Sequence, residues 1–269
     1  MKLLFSEQNS DYDNYQFPYA VWALPDQGET PADIFDAGFL PSSRFLDRFY
    51  LCRQVRVKLP KFKPSSENRR ILRKGEGINV ALVPREKYNY TPERRQFFKT
   101  YADIKFGKDV MTAVRLDSLF STPIISHLLV FTDNETGQEV GVATLYVEDP
   151  ALAYYYYAFY DLNYFNRNLG MFMMTSAAAE FAGRGLGHLY LGTCYSEHAL
   201  YKTQFSGAEF FNGFRWSDDL NELKFIIRRD KKNLSEHLLE TEDYRTRFYE
   251  GKLENIAQAG GFGVQLPGR

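Results

Sequence analysis

The segment between residues 126 and 192 constrains the fold more than any other part of the chain. Its apolar stretches have strand length, and one longer stretch has apolar residues at helical spacing. The predicted elements are the strands 126–132, 139–147 and 151–160, the helix 168–183 and the strand 189–192. This β-β-β-α-β order predicts an α+β fold with a mixed sheet and a crossover helix.

The first part of the chain predicts a smaller α/β subdomain. Residue patterns and caps indicate helices that begin after Thr30, Ser65 and Thr91, and strands over 55–59 and 79–83. A last strand is predicted over 223–227. We therefore divide the chain into an N-terminal basic subdomain, residues 1–110, and a second domain, residues 111–269.

The charge of the chain is distributed unevenly. The total is −1, but residues 44–74 hold eleven Lys and Arg against only Asp47 and Glu67. This stretch carries +9 and the remaining chain −10. Such a run is either a solvated face or an electrostatic footprint for phosphates. The near-neutral total therefore does not exclude a nucleic-acid partner.

The two cysteines, Cys52 and Cys194, are too few for a disulfide scaffold and predict reduced thiols in the cytoplasm. No stretch reaches the length of a membrane helix, so no membrane partner is expected. The four histidines have no metal-ligand spacing with each other or with a cysteine, and no metal is predicted. Cys194 is a nucleophile only if His198 activates it, and a buried packing thiol is the simpler interpretation.

Two short segments are candidates for binding an anion. Residues 167–170 open the central helix, where a glycine lets a ligand approach backbone N–H groups, although capping explains the same pattern. Tyr201 and Lys202 follow the strand 189–192 and supply a hydroxyl and a cation. A surface lysine beside an amphipathic tyrosine is the alternative.

The order and spacing of several motifs resemble the aminoacyl-tRNA–protein transferases, the arginyl- and leucyl-transferases of the N-degron pathway. In the second half, the matching residues are Tyr160-Asp161, Asn168-Leu169-Gly170, Tyr190-Leu191-Gly192, Tyr201-Lys202, Phe205 and Glu209. In the first half, they are Ala37-Gly38-Phe39, Arg44, Tyr50, Cys52, Arg56-Val57, Phe62, Ser65, Arg69-Arg70 and Arg73. The resemblance implies a core similar to the GNAT acyltransferases. The paired-cysteine motif of many members is missing here.

The resemblance implies transfer of Arg or Leu from aminoacyl-tRNA, the co-substrate, to the N-terminal amine of acceptor proteins that begin with Asp or Glu. No other cofactor is expected. It implies catalytic roles for Asp161, Tyr201 and Lys202, although a turn explains Asp161 equally well. The implied substrate-binding residues are Tyr160, Leu169, Gly170, Tyr190, Gly192, Glu209, Arg53 and Arg56. The implied tRNA-binding residues are Arg69, Arg70, Arg73 and Lys74.

Two other functions stay open at this point. An acetyl-CoA-dependent N-acetyltransferase would use the same sheet, but Phe172 stands where its phosphate loop needs a further small residue. A non-catalytic binder of RNA or N-degrons would need the basic segment but no catalytic role for Asp161 or Lys202.

Overall fold

The protein is described by a computed structural model that covers residues 1–13, 15–232 and 236–260, with side chains for all of these except residues 165–167. The strands are β1 (Lys2–Glu7), β2 (Tyr19–Leu24), β3 (Phe39–Pro41), β4 (Phe49–Leu51), β5 (Gln54–Lys58), β6 (Ile78–Pro84), β7 (His127–Asp133), β8 (Glu139–Glu148), β9 (Leu152–Tyr160), β10 (His188–Thr193), β11 (Ala208–Phe211) and β12 (Trp216–Ser217). The α-helices are α1 (Pro31–Asp36), α2 (Ser66–Lys74), α3 (Pro92–Lys105), α4 (Ala113–Phe120), α5 (Leu169–Gly183), α6 (Leu220–Arg229), α7 (Glu242–Tyr249) and α8 (Leu253–Ala259). Short 3₁₀ helices cover Leu59–Lys61, Arg85–Lys87, Leu162–Arg167, Glu197–Thr203 and Leu238–Glu240.

The strands form two sheets. A small antiparallel sheet has the order β1-β2-β4-β3, and a large sheet has the order β12-β11-β5-β10-β9-β8-β7-β6. Within the large sheet, β9 and β10 are parallel and the other neighbours are antiparallel. Helix α5 connects β9 to β10, as a parallel pair requires. The predicted α+β class, mixed sheet and crossover helix are confirmed.

The two faces of the large sheet pack against different layers. Alternate residues such as Ala153 and Tyr155 join the cluster that contains α2, α5 and α6, whereas Leu152 and Tyr154 join the cluster that contains α1, α3 and α4. Successive strand side chains point to opposite faces, which explains this separation. Tyr190 and Leu191 of β10 therefore contact different layers.

Local sequence signals set several helix starts as predicted. The Thr30 amide donates to Asp33 Oδ2 (2.8 Å), and the Asn68 amide donates to Ser65 Oγ (3.1 Å). Thr91 caps α3 in the same manner. These side chains satisfy N–H groups that have no partner inside the helix.

The structure corrects one expectation about the fold. Residues 223–227, predicted as a strand, lie within α6, where Leu223, Ile226 and Ile227 pack into the core at helical spacing. Within the basic run at 44–74, Arg56 on β5 is only 4% exposed, whereas the Lys58 side chain is 38% exposed. Strands from both sides of residue 110 share the large sheet, and the division into two subdomains stays a prediction.

Candidate active site

Strands β9 and β10 pair for only three residues and then part. Their register runs from His188 beside Leu152 to Tyr190 beside Tyr154. At this point the pairing of β8 with β9 skips Tyr156, and the pairing of β5 with β10 skips Leu191. A bulge bends its strand and redirects side chains. The two bulged residues both line the pocket that opens between the strands.

This pocket has a volume of about 570 Å³. Its described lining is mostly aromatic and apolar. It consists of Tyr101, Phe106, Tyr155, Tyr156, Tyr157, Ala158, Tyr160, Asn168, Gly170, Met171, Met174, Leu191, Tyr201 and Lys202. Lys202 is the only charged residue in this set. Four of the predicted site residues therefore meet here: Tyr160, Gly170, Tyr201 and Lys202.

The first turn of α5 forms one wall of the pocket. Asn168 precedes the helix in the left-handed conformation (φ 53°), and Gly170 and Met171 follow it. Backbone N–H groups of a first helical turn lack acceptors within the helix and attract negative charge. Leu169, predicted to bind substrate, is 2% exposed and packs in the core instead.

Lys202 brings a cation into this apolar site. Its ammonium donates to the carbonyl oxygen of Thr193 (2.8 Å), which ends β10. Gly192 lies beside it with φ +80°, and a Cβ placed there would stand 3.7 Å from Lys202 Nζ. Burial lowers the pKa of Lys202 because the charged form loses water.

Tyrosine side chains surround the same space. The rings of Tyr160 and Tyr101 are tilted against each other, with centroids 4.7 Å apart. Tyr155 is 6% exposed and its buried hydroxyl has no hydrogen-bond partner among the described residues. Burial raises the pKa of both Tyr155 and Tyr201, so their hydroxyls stay protonated donors at neutral pH. Sequence reasoning missed Tyr155, since nothing in the run of four tyrosines at 154–157 distinguishes it.

Asp161 lies at the end of β9 but is not among the residues that line the pocket. Its Oδ1 accepts from the amide and the side chain of Asn163, at 2.8 Å each. This is the turn arrangement that aspartate forms with the residue two positions later. The contacts agree with the turn interpretation.

Tyr190, Arg56 and Glu209 form a separate buried cluster. Arg56 Nε donates to Glu209 Oε1 (2.5 Å), and its Nη1 donates to Asp36 Oδ1 (2.5 Å) and to the Tyr190 hydroxyl (2.9 Å). The guanidinium also lies 3.8 Å from the Trp216 ring centre. None of these residues lines the pocket.

Two of the predicted substrate-binding residues have partners within the protein. Glu209 binds Arg56 and Lys58, because β11 pairs beside β5 and directs Glu209 toward Arg56. Arg53, predicted like Arg56 to bind substrate, pairs with Asp230 (2.6 Å) and lies over the ring of Tyr195. It also does not line the pocket.

The predicted tRNA-binding residues lie together on α2. Arg69, Arg70, Arg73 and Lys74 are all exposed on this helix. Helix α2 ends at Gly75, where an added Cβ would overlap the Phe172 ring, so its end touches the first turns of α5. The basic helix therefore lies close to the helix that walls the pocket.

Other chemistries find less support in the described residues. No group of three or more His, Cys, Asp and Glu side chains in the described ranges could hold a metal ion. Cys52 and Cys194 are free and buried, and burial raises the pKa of both thiols. A thiol with a raised pKa is a poor nucleophile at neutral pH. Every helix in the described part of the chain is too short or too polar to span a bilayer.

Sequence comparison shows which proteins the chain resembles. The chain is 28% identical over 172 residues to a protein of Ruegeria pomeroyi, 28% over 171 residues to one of Granulibacter bethesdensis, and 27% over 184 residues to one of Xanthomonas oryzae pv. oryzae. All three carry the name aspartate/glutamate leucyltransferase. This chain is similar to the leucyltransferases.

The similarity covers part of each protein. It spans 61% of this chain and 61% of the Ruegeria relative, and 62% of this chain and 69% of the Xanthomonas relative. No family model matches the chain. Among solved structures, FemX aligns over 60% of both chains with a TM-score of 0.46 and 10% identity. L-PGS from Bacillus licheniformis aligns over 52% of this chain and 44% of its own, with a TM-score of 0.40 and 13% identity.

Proposed function

We propose that the protein is an aminoacyl-tRNA–protein transferase that moves leucine from leucyl-tRNA to the α-amine of proteins beginning with Asp or Glu. The observation that carries the proposal is the pocket between β9 and β10. It combines aromatic walls, one half-buried cation and the N-terminus of α5 in a chain similar to leucyltransferases.

The lining of the pocket supports leucine over arginine as the transferred residue. Met171, Met174 and Leu191 offer apolar contacts for a leucyl side chain. A guanidinium would need a carboxylate partner, because an unpaired charge is costly to bury. The described lining contains Lys202 and no carboxylate.

The reaction requires positioning and charge stabilisation rather than strong nucleophilic activation. The acceptor nitrogen attacks the ester carbonyl carbon, the bond from that carbon to the ribose oxygen breaks, and an amide forms. The nitrogen loses a proton and the ribose oxygen gains one. Negative charge that develops on the carbonyl oxygen would be stabilised by Lys202 and by the first turn of α5.

The aromatic side chains would hold the end of the tRNA. A terminal adenine is flat and stacks well on aromatic rings, and Tyr101, Tyr157 and Tyr160 present such rings along one wall. Tyr155 and Tyr201 would donate hydrogen bonds to ribose or ester oxygens. The preference for acidic acceptors rests on the name of the relatives, since Arg53 and Arg56 lie outside the pocket.

A transfer assay tests the function and the donor together. The protein is incubated with leucyl-, arginyl- or phenylalanyl-tRNA and with matched peptides that begin with Asp, Glu or Ala. Mass spectrometry is expected to show one added leucine on the Asp and Glu peptides only. Preferred addition of arginine would contradict the donor assignment, and addition to none of the peptides would contradict the function. Acetylation of a peptide with acetyl-CoA would instead favour the acetyltransferase.

A further inference from the structure

A second pocket, rich in cations, lies between α6 and α7, away from the site described above. It has a volume of about 550 Å³, and five cations line it against two acids. The cations are Lys224, Arg228, Arg229, Lys232 and Arg247, and the acids are Glu236 and Asp243. The sequence does not predict this pocket, because its cations are interspersed with acidic residues along 224–247 and form no charge run.

The cations of this pocket differ in whether they already contact other groups of the protein. Arg229 donates to the carbonyl oxygen of Glu236 (2.5 Å) and to Thr241 Oγ1 (3.2 Å), which ties α6 to the segment before α7. Arg247 lies over the rings of Phe225 and Phe248. Lys224, Arg228 and Lys232 are exposed and form no ion pair with any residue in the described ranges. These three can receive an external anion without breaking an ion pair among the described residues.

The position of α6 connects this pocket to the active site. Lys231, which follows α6, pairs with Glu197 (2.8 Å) at the start of the 3₁₀ helix Glu197–Thr203. That short helix carries Tyr201 and Lys202 into the candidate active site. On the other side, α2 contacts the first turns of α5 through Gly75. Both basic helices pack in the layer that contains α5.

We infer that Lys224, Arg228 and Lys232 form a phosphate-binding surface for the tRNA. The backbone of the bound tRNA would extend from α6 to α2, across the layer that contains both helices. Charge complementarity carries the inference, since closely spaced unpaired cations on a groove fit a phosphate backbone. It rests on the proposed function, because leucyl-tRNA is the polyanion which that function requires. The contacts would position the tRNA without reading its sequence.

The test measures binding rather than transfer. Fluorescence anisotropy with uncharged, labelled tRNA gives the Kd of the full chain for tRNA. It is measured at salt concentrations from about 50 to 250 mM, a range in which counterion release changes the affinity strongly. The combined Lys224→Gln, Arg228→Gln and Lys232→Gln variant is expected to raise Kd about tenfold or more at 0.1 M salt. It is also expected to make the slope of log K against log salt less steep by about 2 to 3, because each lost phosphate contact removes about 0.7 to 0.9.

The matched control removes three exposed cations elsewhere, with Lys2→Gln, Arg48→Gln and Lys87→Gln. The triple variant at residues 224, 228 and 232 is called the α6 variant. Equal effects of the control and the α6 variant on Kd would overturn the inference, because net charge alone would then explain both. An unchanged Kd and slope in the α6 variant would overturn it as well. Thermal unfolding of each variant shows whether the fold is kept.

The same preparation separates this inference from the proposed function. If the α6 variant alone loses tRNA affinity but the wild-type protein transfers no leucine, the surface stands and the proposed transfer is wrong. If transfer occurs and tRNA affinity does not depend on α6, the proposed function stands and the surface is wrong.

Discussion

The hydroxyl oxygen of Tyr160 lies 2.7 Å from the point where a Cβ atom would stand on Gly170. This distance is shorter than any carbon–oxygen contact that a side chain keeps, so residue 170 has to be glycine for Tyr160 to stay in place. The relation links the end of β9 to the first turn of α5 across the pocket.

Gly170→Ala is therefore expected to displace Tyr160 and to lower kcat/KM for leucyl transfer by about ten- to hundredfold, as misplacement of site groups by an ångström does. Gly183→Ala is the matched control, because it lies on the same helix and an added Cβ meets nothing within 4 Å. The control should keep full activity. Equal activity of both variants would show that Tyr160 needs no fixed position.

Asp161→Asn tests the role of the carboxylate at the end of β9. Asparagine keeps an oxygen that can accept from Asn163, so the turn should survive and the transfer rate should change little. A general base would instead contribute about 100- to 10,000-fold to the rate. A loss of that size in the Asn variant, with unchanged thermal stability, would restore Asp161 as a catalytic residue.

We expect the rate of transfer to fall at alkaline pH, because Lys202 loses its proton there. Burial lowers its pKa, and its charged form is the one that stabilises the oxyanion. Activity should thus be complete below the pKa of Lys202 and fall as pH rises through it, at a lower pH than an exposed lysine would give. Lys202→Met should lower kcat by about 100- to 1,000-fold.

The control for this pH dependence is Lys202→Arg, which stays protonated throughout the accessible range. Any activity that this variant retains should lack the alkaline fall. An identical alkaline fall in the wild-type protein and the Arg variant would show that another group titrates. Initial rates with peptide acceptors at each pH provide the measurement.

The cluster around Arg56 is expected to support stability rather than transfer. Arg56→Met removes the guanidinium from the buried Glu209, which keeps Lys58 as a partner, and should lower the free energy of unfolding by about 3 kcal/mol. The double variant Arg56→Met with Glu209→Leu should recover much of this loss, because no charge of that pair stays buried. Urea unfolding measures both. A loss of transfer in Arg56→Met with unchanged stability would instead support the predicted role in substrate binding.

The sequence alone determined the elements of the central part of the chain. Period-two and helical spacing, together with the caps Thr30, Ser65 and Thr91, predicted the β-β-β-α-β order and the starts of four of the eight described α-helices. These signals are local, and the local energies agree with the final fold. The same method predicted a strand over 223–227, because a short apolar run fits a strand as well as one face of a helix.

The tertiary structure alone decided which candidate residues meet. Tyr190 and Gly192 belong to one short strand, yet Tyr190 faces the α1–α3–α4 layer and Gly192 adjoins Lys202. The parting of β9 and β10, with bulges at Tyr156 and Leu191, depends on pairing with β8 and β5, which are distant in the chain. A motif fixes residue types and spacing, but the side of a sheet that each residue faces is set by register with other strands. For that reason Tyr155 lines the pocket although it was not predicted, and Arg56 lies outside the pocket although it was predicted to bind substrate.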